Sequence, residues 1–184
     1  MDGGVMVEIE SRNRVFATPW FEVVAKSLNS RDSDAPYYAL ELPDYSVVVA
    51  LTPERKILFV RQYRPAVEQY TLELPSGHID SGESPEEAAR RELLEETGYT
   101  AGTMEFLGCL MPDAGRLSNR LWCYFTADVA LETPHPVLEA GIEVVTYTPQ
   151  DFAQLLNEGQ FDHALHMAPI LLAILKGKLV LSIN

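Results

Sequence analysis

Gly77 to Tyr99 reads GHIDSGESPEEAARRELLEETGY, a glycine-bearing loop that runs into a helix whose two ends are written in its residues. Ser84 is a natural N-cap, Pro85 suits the first helical position, and Glu87 three residues beyond Ser84 completes a capping box. Gly98 is placed to end the helix in the left-handed conformation. At about 100° per residue, Glu92, Glu95 and Glu96 fall within an arc of roughly 100°. Like charges at that spacing repel and cost stability. Ala88 and Ala89 share the arc and Leu93 borders it, so the acids are expected to face a crevice lined by small side chains. A solvated, Glu-rich surface helix is the ordinary alternative for such a composition. If the crevice is real, the carboxylates need cations, and hard divalent metals with oxygen ligands are the natural candidates.

The rest of the composition narrows the class. A chain of 184 residues is long enough for one domain that buries about 70% of its unfolded surface. Hydrophobic residues make up 47% and charged residues 22%, which are values of a folded globular protein. A net charge of −13 argues against a nucleic-acid partner held through its phosphate backbone. A small anion held by a few arginines and metal ions is still compatible with that charge. Cys109 and Cys123 both fall in strand-like runs and read as buried reduced thiols, which points to the cytoplasm. The opening residues carry no apolar core of signal-peptide length, and the longest apolar run, Ile170 to Leu175, is too short to span a bilayer. The expectation is a soluble intracellular protein with no membrane partner.

Apolar alternation and turn residues lay out the remaining elements. Residues 5–9, 15–28 and 37–42 read as strands of a small N-terminal sheet, with a polar turn over residues 29–36. Residues 46–51, 56–64 and 70–75 read as core strands leading into the helix. Strands are also expected over 104–111, 120–130 and 142–148. Thr148 and Pro149 cap a helix to about Glu158, and Asp162 caps a second to about Lys176. The domain division expected is 1–43 for the N-terminal β region and 44–184 for the main domain.

The spacing of Gly77, Glu83 and Arg91-Glu92-Leu93-Leu94-Glu95-Glu96-Thr97-Gly98 resembles the Nudix hydrolase box at every fixed position. It departs at the end, where Tyr99 stands in place of an aliphatic residue that packs. The resemblance implies an α/β fold, a Nudix-type α/β/α sandwich with a mixed sheet, preceded by the small N-terminal antiparallel sheet. It implies hydrolysis of a nucleoside diphosphate linked to another group, with Mg²⁺ or Mn²⁺ as cofactor. Glu92 and Glu96 become the leading metal ligands, Glu95 a third, and the backbone carbonyl of Ser76 a fourth. Arg91 and Glu83 then read as residues that orient the ligands, and Gly77 as the residue that lets the peptide turn inward.

The flanks point further. Arg61-Gln62-Tyr63-Arg64-Pro65, Glu73-Leu74-Pro75-Ser76-Gly77 and Met111 to Asn119 resemble the ADP-sugar pyrophosphatases within that superfamily. The resemblance implies that Arg64 reaches the diphosphate and that a nucleobase stacks on an aromatic near the N-terminal strands, often from a partner subunit. Trp20 fits that role, or it is a core tryptophan. Arg61 is a substrate contact or a surface charge, and Asp113 matches an acid that approaches the sugar. A general base is implied in the loop before the late strand, where Glu139 lies nearest, with Glu143 opening the strand.

The implied substrate is ADP-ribose or a related nucleoside diphosphate sugar, and the implied assembly a homodimer through the N-terminal strands. Alternatives are a hydrolase for GDP-mannose or another NDP-hexose, and a silent Nudix domain that senses a nucleotide sugar. His163 and His166, three apart on a helix, have no third ligand nearby in sequence and read as packing or surface residues. The glycine loop lacks the Lys-Ser/Thr ending of a P-loop.

Overall fold

In the computed structural model, which describes residues 6–29, 35–133 and 140–181, side-chain alternation along one strand sets the layers of the main unit. That strand is β4 (Tyr45–Ala50). Val47 and Val49 join one apolar cluster with Phe59, Leu74, Ile170 and Ala173, while Val48 and Ala50 join another with Ala89, Leu93 and Tyr124. Successive side chains of a strand point to opposite faces, so β4 is covered on both. One cover is α1 (Pro85–Thr97) and the other is α3 (Ala164–Leu175). This helix–sheet–helix layering is the sandwich expected, and its sheet is mixed: β4 lies parallel to β10 (Leu121–Thr126) and antiparallel to β7 (Ser76–His78). β10 in turn pairs antiparallel with β9 (Glu105–Leu110).

A second sheet of this unit has β5 (Ile57–Arg64) between β6 (Gln69–Glu73) and β12 (Glu143–Tyr147). The next helix, α2 (Pro149–Asn157), starts at Thr148, whose hydroxyl accepts from the Asp151 N–H. The α3 cap differs from expectation. The N-cap is His163 rather than Asp162, and no side chain makes a capping bond there. A short pair, β8 (Tyr99–Ala101) with β11 (Val129–Leu131), also forms. No strand was expected at Tyr99–Ala101, because three residues directly after a helix carry no readable period.

The chain divides into two units, residues 1–43 with 111–120 and residues 44–110 with 121–184. The first holds a three-stranded antiparallel sheet: β1 (Ile9–Ala17), β2 (Glu22–Leu28) and β3 (Tyr37–Glu41). The single strand expected over 15–28 is instead a hairpin. Thr18 breaks it, its hydroxyl accepting from the N–H groups of Trp20 and Phe21 while its own N–H donates to the Phe21 carbonyl. Pro19 inside this turn has no N–H to give to a ladder. Residues 111–120 join the unit through backbone bonds at Leu40, whose N–H donates to the Arg116 carbonyl and whose carbonyl accepts from the Ser118 N–H, and through side-chain bonds such as Asn119 to the Pro43 carbonyl. Among the described residues, no helix is long and apolar enough to cross a membrane.

Candidate metal and diphosphate site

The helix α1 carries the site because its ends are pinned as the residues dictate. The Ser84 side chain accepts from the Glu87 N–H, the Glu87 carboxylate accepts from the Ser84 N–H, and Gly98 closes the helix at φ 75°. Its inward face then fixes Ala88, Ala89 and Leu93 in the core. Burying one such leucine contributes roughly 1.5–3 kcal/mol, enough to hold the helix against a face that also carries acids. Those acids are Glu92 and Glu96, both buried. Glu95 is different: its side chain is 53% exposed and it accepts from Arg91 across one turn at 3.2 Å. The three acids expected to converge therefore divide into a buried pair and an outer one.

Arg91 organises this cluster. Its guanidinium donates to both oxygens of Glu83 at 2.9 Å, to Glu92 at 2.7 Å, and to the His78 carbonyl at 2.9 Å. The Glu83 bonds, with further ones from Glu92 and Glu95, hold its pKa above the ordinary arginine value in spite of desolvation. Glu83, its carboxylate held low chiefly by Arg91, also accepts from the Asp80 N–H and so ties the loop to the helix. Opposite the helix, the Ser76 N–H donates to Glu96 at 2.9 Å. Gly77 has a reason other than turn geometry: a Cβ built there would lie 2.0 Å from a Glu92 carboxylate oxygen. Only a glycine lets Glu92 lie against the β7 backbone. The carboxylates of Glu92, Glu96 and outer Glu95 are hard oxygen donors, the type of ligand that a divalent ion such as magnesium takes.

A second carboxylate stands behind the first group. Glu73 ends β6 and is 0% exposed. Arg64 grips it with a fork, Nε to one oxygen at 2.7 Å and a terminal nitrogen to the other at 2.6 Å. The Thr71 hydroxyl donates to it at 2.6 Å, and the Nε2 of His166 lies 3.3 Å away. Burial alone would raise the Glu73 pKa. The bonds from Arg64, His166 and Thr71 outweigh it and hold the carboxyl far below its usual range. Arg64 is raised in turn, first by its bond to Glu73, and the charge of Glu96 adds to the effect, so the guanidinium stands within electrostatic reach of the helix acids.

The other site candidates take simpler positions. Arg61 pairs across the ladder with Glu143 at 3.2 Å and lies over the Tyr70 ring, as a surface charge does. Trp20 is 69% exposed, which removes the core reading. Asp113 accepts from the Gly115 N–H within the first unit's loop. Glu139 lies outside the described residues. Cys109 is exposed rather than buried, while Cys123 is buried, and burial pushes its thiol up to about 12. His166, read as a packing residue, does find a third polar partner: Glu73, brought in by β6. Ligand atoms of Glu73, His163 and His166 lie within 4.8 Å of one another.

The NUDIX domain profile matches residues 42–168 of this chain. An ADP-ribose pyrophosphatase of Bacillus subtilis is 31% identical over 117 residues, 62% of this chain and 63% of that protein. A mouse ADP-sugar pyrophosphatase is 49% identical over 63 residues, 34% of this chain and 28% of that one. The matched stretches thus span less than two thirds of these relatives' own lengths. A crystal structure of an ADP compounds hydrolase superposes with a TM-score of 0.75 at 22% identity, covering 94% of this chain and 97% of that one, and shows the same fold. The chain belongs to the Nudix family.

Proposed function

We propose that this protein hydrolyses the diphosphate of ADP-ribose or a related nucleoside diphosphate sugar, with Mg²⁺ or Mn²⁺, releasing a nucleoside monophosphate and a sugar phosphate. The observation that carries the reading is the buried pair Glu92 and Glu96, set against Gly77, whose hydrogen side chain alone leaves room for Glu92. The names of the ADP-ribose and ADP-sugar pyrophosphatase relatives support the substrate class. A divalent ion, when bound, supplies neutralisation of the diphosphate and a lower pKa for an attacking water.

The chain's own residues do the rest. Glu92, Glu96 and Glu95, with the Ser76 carbonyl, would hold the cation, and Arg91 with Glu83 orients the carboxylates of Glu92 and Glu95. Arg64 turns its remaining N–H groups to the phosphate oxygens, where a preorganised donor does most for a charge that develops in the reaction. The water oxygen bonds to one phosphorus as the bridging P–O bond breaks. Its proton passes to a base, for which Glu139 is the candidate, and Trp20, exposed and aromatic, is available to stack on a nucleobase.

We further assign the active form as a homodimer in the cytoplasm. The outer edge of β1 has no partner strand among the described residues, and Val15, Phe16 and Ile9 on it are exposed.

A panel of nucleoside diphosphate sugars with Mg²⁺, read by phosphate release after adding a phosphatase, tests the substrate. ADP-ribose is expected to lead; a GDP-hexose in first place would move the assignment, and binding without turnover would make the chain a sensor. Glu139→Gln is expected to slow turnover at least about tenfold. A near-wild-type rate would place the base elsewhere.

A further inference from the structure

A fully buried carboxylate is costly unless it is paired and hydrogen-bonded. Glu73 meets that requirement through three side chains from different parts of the chain: Arg64 on β5, Thr71 on β6 itself, and His166 on α3. The histidine is itself oriented. The Leu74 N–H donates to its Nδ1 at 3.1 Å, which makes the ring the Nε2–H tautomer and directs that N–H at Glu73.

Glu73, His163 and His166 have the spacing of a metal centre, but their bonds argue against one. Nδ1 of His166 is already taken, and both Glu73 oxygens carry the Arg64 fork. A guanidinium occupies the place where a metal cation would neutralise the carboxylate.

That arrangement matters for what Arg64 can do. Its side chain is 44% exposed although its partner is wholly buried, so it is fixed on the inner side and open on the outer. Glu73 uses two of its five N–H donors, which leaves three for an oxyanion. With the Nε edge fixed on Glu73, the two terminal nitrogens keep a planar pair of N–H groups that can donate side by side to a phosphate.

We propose that His166 is a positioning residue: through Glu73 it holds the Arg64 guanidinium in register to receive the substrate's diphosphate. α3 thereby contributes to substrate binding without touching substrate. This rests on the reading of the substrate as a nucleoside diphosphate, and the test keeps the two apart.

The test is a double-mutant cycle on the full-length chain, with ADP-ribose and Mg²⁺. His166→Leu is expected to raise KM about tenfold with kcat within about threefold, the size of one hydrogen bond to a charged group. His166→Gln, which keeps a donor toward Glu73, restores KM to within about threefold of wild type. In an Arg64→Lys background, which abolishes the fork, His166→Leu adds less than about twofold. Effects of His166→Leu and Arg64→Lys that simply multiply, or a His166→Gln no better than His166→Leu, would overturn the proposal.

The Arg64 Nε–H resonance reads the same contact without substrate. It is expected to move toward its solvent-exposed position in His166→Leu, or in His166→Phe if the first variant does not fold, and an unmoved resonance overturns the proposal. Wild-type protein that leaves ADP-ribose intact would instead sink the substrate assignment, with the resonance still deciding the clamp.

Discussion

Two sets of buried acids in this protein are held by different kinds of partner. Glu73 is surrounded by donors that satisfy it from three elements: a guanidinium fork, a hydroxyl and an imidazole. Glu92 and Glu96 are also buried, yet they sit one turn apart on one helix with the same charge. Arg91 reaches Glu92 and the Ser76 N–H reaches Glu96, contacts that orient these carboxylates. The first arrangement is what a carboxylate needs in order to be stable in a protein interior. The second is a pair of like charges that a bound divalent cation would stabilise.

That contrast can be broken first at Glu73. Glu73→Gln leaves the Arg64 guanidinium without its counter-charge, and because that guanidinium is 44% exposed the cost should be about 2–3 kcal/mol of stability, measured by urea unfolding. A loss under about 1 kcal/mol would mean that Glu73 is not the anchor described. Gly77→Ala acts on the other side. A methyl group there displaces the Glu92 carboxylate, so turnover is expected to fall about 100-fold with only a modest change in thermal midpoint. A fall in stability that matches the fall in activity would make Gly77 a folding residue only.

The pH dependence of stability separates the two sets again. The folded pKa of Glu73 is depressed, so its contribution is fully present above the unfolded carboxylate value of about 4.3 and is lost as pH falls toward the folded value. Stability should therefore decline below about pH 4, and the decline should flatten in Glu73→Gln. An identical acid limb in both proteins would remove Glu73 from the account. The smallest effect is local to the helix: Ser84→Ala should cost about 1 kcal/mol through loss of the capping box, read by the same unfolding assay.

Local features were legible from residues alone. Ser84, Pro85, Glu87 and Gly98 act on neighbours within a turn, so the helix came out with its ends in place. The inward-facing Ala88, Ala89 and Leu93 follow from the same 3.6-residue period. What was not legible depends on distant partners. His166 meets Leu74 across 92 positions, and nothing near either residue announces the other. Gly77 was recognisable by its place in a pattern, but the reason for it is the Glu92 side chain fifteen residues on. The break at Thr18 was hidden because apolar residues continue on both sides of a turn made by one hydroxyl.

The central claim is that Glu92 and Glu96 hold a divalent ion at the diphosphate. Titrating Mn²⁺ into wild type and Glu96→Gln, followed by electron paramagnetic resonance of the free ion, tests it most directly. Wild type is expected to take up Mn²⁺, while Glu96→Gln, folded and with an equal or higher thermal midpoint, takes up at least about tenfold less at the same concentration. Equal uptake by the two proteins would contradict it.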